Sequence, residues 1–217
     1  MQKQLNTVGS NTYDSLKHDI IFGQLEPGSK LKLGVLKDQY AASVSTLRET
    51  LNRLASEGFV LAEEQRGFFV SPVSKEDLIE IANMRILLEG HALKESIENG
   101  DAEWEGNLVA AYHKLSLMEE PMLSGDESQK ETWKRYDWEF HQAMIQACNS
   151  KTLLSLHSII FDKYLRYQMQ VLTFRGSSAA TEHKNMLDAA LARDTQRARE
   201  ILETHVLKGL EHSMSAF

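Results

Sequence analysis

Between about residues 10 and 23 the apolar residues Tyr13, Leu16 and Ile20 recur at intervals of three and four, with Ile21 beside the stripe. That period predicts an amphipathic helix, and Gly23 suits its C-terminal stop. Gln24 to Gly28, with Pro27-Gly28 at its end, reads as a turn. A short second helix is predicted over about 33–41, anchored by Val35, Leu36 and Tyr40. Ser43 can cap a third helix running to about residue 57, whose Leu47, Leu51 and Leu54 share one face. Gly58 ends it. Phe59-Val60-Leu61 and Phe68-Phe69-Val70 read as two strands joined by residues 62–67. Helices, a turn, a further helix and a hairpin predict a winged helix-turn-helix.

Beyond Ser74 the pattern is helical almost without break. Helices are expected at about 75–98, 101–119, 127–148, 150–174, 178–192 and 195–214. Asn99-Gly100, Pro121, Ser124-Gly125, Asn149-Ser150, Gly176-Ser177 and Asp194-Thr195 supply the interruptions. The expected fold is mainly α: a winged helix-turn-helix over 1–72 and an all-α helical bundle over 73–217. Ser71-Pro72-Val73-Ser74 marks the junction, because proline ends the strand and Ser74 can cap the next helix.

Charge changes this picture only locally. The 217 residues carry a net charge of −7, which by itself argues against nucleic acid. Residues 1–72 hold 8 basic and 8 acidic residues, so the whole excess of acid lies in the second part. A neutral head can still bind DNA if its groove-facing surface is locally basic. No run of 18 apolar residues is present, and the first six residues lack the apolar core of a signal peptide. The single cysteine, Cys148, cannot form an internal disulfide, which suits the cytoplasm.

The third helix is the candidate reading helix. Its buried stripe leaves Ser45, Thr46, Arg48, Glu49, Asn52 and Arg53 off the core face, and of these Ser45, Thr46, Arg48 and Asn52, with Ser43, are the candidates for DNA contact. Hydroxyls at a helix N-terminus suit phosphate contacts, and an arginine fork suits guanine. Arg66 and Gly67 stand at the wing tip, where a cation could enter the minor groove.

These residues carry a resemblance to the GntR superfamily of bacterial regulators. It rests on Gly23-Gln24-Leu25-Glu26-Pro27-Gly28-Ser29-Lys30-Leu31, on Leu47-Arg48-Glu49-Thr50-Leu51-Asn52-Arg53-Leu54-Ala55-Ser56-Glu57-Gly58-Phe59-Val60, and on Arg66-Gly67-Phe68-Phe69-Val70. The resemblance implies a homodimer that reads a palindromic operator in double-stranded DNA. One departure is plain. Val44 stands where the family pattern places a DNA-contacting arginine, and Gly34 lies near an expected basic position that Lys32 or Lys37 could fill.

In the second part, Asp137 and His141 are one helical turn apart, and Met144 and Cys148 continue their stripe inward. His183 and His205 lie on later helices beside apolar residues. One carboxylate and three imidazoles could hold a divalent metal ion, Zn²⁺ foremost, with Ni²⁺ or Mn²⁺ as alternatives. Spacing alone leaves open that these are hydrogen-bonded core residues.

Residues 75–214 also resemble the FCD domain, the helical effector domain of the FadR-like branch. The resemblance rests on Asp137-Trp138-Glu139-Phe140-His141 with His183 and His205 at the expected intervals, on Met84-Arg85-Ile86-Leu87-Leu88-Glu89-Gly90, on Asn149 and on Glu182-His183. It implies that Asp137, His141, His183 and His205 are metal ligands. It further implies a small carboxylate effector, with Arg85 as the first candidate for its far end and Arg166 as the second. An Arg85–Glu89 pair one turn apart is the structural alternative for Arg85. His91, His113, His157 and His212 have no matching partners and are expected to be surface or core residues, and the tryptophans are expected to pack.

The expected function is a metabolite-responsive regulator of transcription, most simply a repressor, with no catalysis. Two other readings stay open at this point: a metal-dependent hydrolytic enzyme on a helical bundle, and a sensor of the metal ion itself.

Overall fold

A computed structural model describes residues 8–171 and 175–215. The described chain divides into two compact units: the residues up to Asp77 together with Leu165–Val171, and Leu78–Tyr164 together with the described residues from 175 onward.

The first unit contains α1 (Val8–Ile21), β1 (Lys30–Leu31), α2 (Leu33–Gln39), α3 (Val44–Ser56), β2 (Val60–Glu63) and β3 (Gly67–Val70). Leu16, Ile20, Leu47, Leu51, Leu54, Phe59 and Val70 are wholly buried in its core. Burying each such side chain contributes roughly 1.5–3 kcal/mol. The leucine stripe of α3 therefore faces the core as its spacing predicts, and its other side is left to solvent.

Two expectations about the head are corrected. The sheet has three antiparallel strands in the order β1-β3-β2, not two. Lys30 pairs with Phe69 and Leu31 with Phe68. Two residues are too short to show alternation, so β1 left no periodic signal. Val35, expected as an anchor, is 58% exposed, while Leu36 alone of that pair is buried.

The second unit is helical. It is built from α4 (Lys75–Asn99), α5 (Ala102–Leu123), α6 (Lys130–Ile145), the first part of α7 (Lys151–Val171), α8 (Ser177–Leu191) and α9 (Thr195–Met214). The expected helix over 150–174 has its last three residues outside the described chain. Pro121 does not interrupt α5, which continues to Leu123. Proline leaves one intrahelical bond unmade, and the helix runs only two residues beyond it. The stop falls instead at Ser124-Gly125, where Gly125 takes a φ of +88°. A short 3₁₀ turn, Glu127–Gln129, then leads into α6, which starts and ends three residues inside its expected limits of 127 and 148.

Asp101 and Asp194 cap α5 and α9 by accepting bonds from the backbone N–H groups of Trp104 and Arg197.

Candidate metal centre and nucleic-acid interface

Four buried side chains meet in the second unit. Asp137 and His141 come from α6, His183 from α8 and His205 from α9, and one ligand atom of each lies within 4.8 Å of the others. Asp137 Oδ1 is 3.2 Å from His183 Nε2 and 3.9 Å from His141 Nε2. The rings of His183 and His205 have centroids 4.7 Å apart.

The other nitrogen of each ring is occupied by a carboxylate. His183 Nδ1 is 2.6 Å from Glu119 Oε1, His205 Nδ1 is 2.9 Å from Glu182 Oε2, and His141 Nδ1 bonds Glu89 Oε1. A neutral ring that donates from Nδ1 keeps its lone pair on Nε2. Carboxylates that orient imidazoles in this way are characteristic partners of metal-ligating histidines. His183 Nε2 is buried and makes no hydrogen bond, despite its closeness to Asp137. An orphaned nitrogen beside a carboxylate, in a set of three imidazoles and one Asp, fits a divalent ion of the zinc type.

The electrostatics favour the neutral, lone-pair-bearing form at His205 and His141 and the protonated form at His183. Burial pushes the His205 pKa well below its ordinary value, and the bond to Glu182 offsets that only in part. Burial also lowers His141, against the pull of Glu89. For His183 burial is outweighed by the carboxylates of Asp137 and Glu119, and its pKa is raised. Burial would raise Asp137, but Lys134 and the two histidines hold it well below the usual carboxylate range.

Cations surround the cluster. Arg85 Nη2 lies 3.2 Å from each ring nitrogen of His141, while its Nε donates to Glu89 at 2.9 Å. The structural alternative for Arg85, its pair with Glu89, is present, and its Nη2 lies beside His141. Lys134 Nζ is 3.6 Å from Asp137 Oδ2, and Arg175 Nη2 is 3.0 Å from both His205 Nδ1 and Glu182 Oε2.

Arg166 requires a correction. It belongs to the first unit, and its Nη2 donates to the backbone carbonyl of Ser71. That carbonyl lies just past β3, so the side chain ties down backbone within the first unit.

Several residues went unsingled in sequence. Lys134 stands one turn before Asp137, a signal that was available. Glu119, Arg175 and the partner role of Glu182 depend on helices meeting in space. His157, expected to lack partners, is wholly buried and bonds Glu89 at 3.0 Å and Gln142 at 2.9 Å.

On the head, Ser43 caps α3. Its Oγ accepts from the Thr46 N–H at 3.1 Å and lies 2.8 Å from Ser45 Oγ. Arg48 and Asn52 are exposed on the face opposite the leucines, and neither side chain makes a hydrogen bond or ion pair among the described residues. Arg53, by contrast, lies 3.6 Å over the Tyr13 ring and bonds Glu57. Arg66 pairs with Glu63 and lies over the Phe69 ring, yet stays largely exposed beside Gly67, whose φ is +94°. Val44 is 42% exposed in the first turn of α3, an apolar group where a cation was expected. No helix among the described residues is long and apolar enough to cross a membrane.

Comparison with known proteins matches residues 9–70 to the profile of the bacterial regulatory proteins, gntR family, and residues 80–208 to that of the FCD domain. The HTH-type transcriptional regulator BphR of Paraburkholderia xenovorans is 37% identical over 90% of this chain and 80% of its own length. The HTH-type transcriptional repressor GlaR of Escherichia coli is 32% identical over 90% of each chain. Among solved structures, E. coli McbR/YncC superposes with a TM-score of 0.80 at 22% identity, covering 97% of this chain and 99% of that one.

Proposed function

This chain belongs to the gntR family of bacterial transcriptional regulators and carries an FCD domain, and from that footing we propose that it is a repressor whose operator binding answers to a small carboxylate held at a divalent metal in the helical unit. The observation that carries the reading is the arrangement of the three histidines. Each gives Nδ1 to a buried carboxylate, and the opposite edges converge with Asp137.

Asp137, His141, His183 and His205 would hold the ion, Zn²⁺ foremost, with Ni²⁺ or Mn²⁺ as alternatives. The ion would supply a Lewis-acidic anchor for one carboxylate of the effector. The protein's own contribution is charge and exclusion of water. Arg85, Lys134 and Arg175 offset the acidic partners and hold positive charge beside the cluster for a second anionic group. In the head, Ser43, Ser45 and Thr46 would meet phosphate, Arg48 and Asn52 would read bases, and Arg66 with Gly67 would follow the minor groove. Two copies acting as a homodimer in the cytoplasm would meet the two halves of a palindromic operator.

Regulation requires that the effector bind one state of the protein better than another. The test is a thermal-shift screen of carboxylates on zinc-loaded protein, followed by operator binding with and without each hit. A carboxylate that raises the melting temperature and weakens operator binding supports the reading. Operator binding that follows metal concentration alone, with no carboxylate effect, would replace it with a metal-ion sensor.

A further inference from the structure

Behind His141 lies a chain of hydrogen bonds that the four candidate ligands do not require. Glu89 is wholly buried, and its two oxygens are used differently. Oε1 takes the Nδ1–H of His141. Oε2 takes Arg85 Nε at 2.9 Å and His157 Nε2 at 3.0 Å. At the far side of the His157 ring, Gln142 Nε2 lies 2.9 Å from Nδ1.

The tautomers follow from this order. The Gln142 amide donates to His157 Nδ1, so the His157 proton sits on Nε2 and is given to Glu89. Glu89, an anion beside Arg85⁺, then has only acceptor capacity to offer His141. That puts the His141 proton on Nδ1 and leaves a lone pair on Nε2, which faces Arg85 Nη2 at 3.2 Å and Asp137 Oδ1 at 3.9 Å. Phe161 fixes the rings in place, with its centroid 5.4 Å from that of His141 and 5.7 Å from that of His157.

We propose that His157, oriented by Gln142, is a positioning residue for His141: it holds one oxygen of Glu89 so that the other stays on the His141 ring. This rests on the metal reading above. The physical reason lies in Arg85. A guanidinium prefers to grip a carboxylate with two N–H groups. Arg85 now uses only Nε on Glu89, while Nη2 faces His141. Without the His157 donor on Oε2, Glu89 is free to turn into a two-point pair with Arg85 and to leave His141 Nδ1 without its acceptor. His141 would then populate the other tautomer, which puts a proton where the metal bond must form.

The test uses the full chain with three variants, His157→Phe, His157→Gln and Gln142→Met. Phe keeps the ring volume, Gln restores an N–H donor near the Nε2 position, and Met removes the amide. Two quantities are measured: zinc affinity by competition with a chromophoric chelator, and the His141 tautomer in metal-free protein by long-range ¹H–¹⁵N NMR. Wild type is expected to show His141 protonated on Nδ1. His157→Phe should weaken zinc about tenfold, the lower end of losses seen when a partner of a ligating histidine is removed, and should mix the His141 tautomers. His157→Gln should recover both readouts. If His157→Phe fails to fold, Gln142→Met carries the test, with a smaller loss in the same direction. Wild type that binds no zinc sinks the metal reading, yet the tautomer measurement still judges the relay. Wild type that binds zinc, with His141 tautomer and affinity unmoved by the variants, overturns the relay alone. Weakened affinity with an unchanged tautomer assigns His157 to packing and also overturns it.

Discussion

The two units use the same acceptor for opposite ends. In the first, three tyrosines donate to carboxylates: Tyr13 to Glu57, Tyr40 to Asp19 and Tyr167 to Asp77. In the second, the three candidate histidine ligands do so: His141 to Glu89, His183 to Glu119 and His205 to Glu182. A phenol has one polar atom, and the bond to the carboxylate uses its only proton. An imidazole has two nitrogens, so the same bond aims the second one elsewhere. The tyrosine pairs tie together distant segments of the first unit, and the candidate DNA-reading residues lie on the solvent side of α3. The histidine pairs turn three lone pairs toward one point in the interior. Carboxylates buried at this density are costly unless each is partnered, and in the bundle the partners are the site.

The largest effect should come from breaking the inward set. Asp137→Ala is expected to lower zinc affinity by more than about a hundredfold, beyond the range for partner residues, and to abolish the thermal shift on zinc addition. Retained zinc in that variant, measured by elemental analysis after dialysis, would mean that the histidine pairs are only structural. Next comes the outward set. Arg48→Ala should weaken operator binding by about 1–3 kcal/mol, roughly 5- to 150-fold, if it reads a base. Zinc affinity should not change, and an unaltered footprint would displace the reading helix from α3.

The third prediction separates the two kinds of pair by pH. Burial, with the bond to a carboxylate, raises the pKa of Tyr13, Tyr40 and Tyr167 above the ordinary phenol value. In each case the folded value exceeds the unfolded one. Their contribution is therefore complete below about pH 10 and is lost as pH rises through the folded values. Urea midpoints for the head should fall above pH 10, and Tyr40→Phe should flatten that fall. An unchanged slope in the variant would deny the pairs their role. The smallest effect is expected from Ser43→Ala, which removes the cap of α3 at a cost of about 1 kcal/mol, read by thermal melting.

Much of this was legible in the sequence, and the reasons differ by residue. Leu47, Leu51 and Leu54 declare a buried face because period and burial are one physical fact. Asp137 and His141 share a turn, so their meeting is local. Their joining by His183 and His205 came from the resemblance, since spacing fixes no contact between separate helices. Glu119, Arg175 and His157 were silent for that reason. β1 was too short to carry a period, and Pro121 reads as a stop although α5 runs two residues past it. Arg166 looks in sequence like any candidate cation, and only its bond to the Ser71 carbonyl reveals its local task.

The candidate ligands span a long stretch of chain, with all of α7 and α8 between Asp137 and His205. An ion gripping them would close that long excursion into a loop. The unfolded chain would lose freedom, more so the longer the segment enclosed. A disulfide does the same in oxidising surroundings, but here the only thiol is the buried, unpaired Cys148. The imidazoles would give the protein a removable staple, set by metal supply and undone by a chelator without any change in redox state.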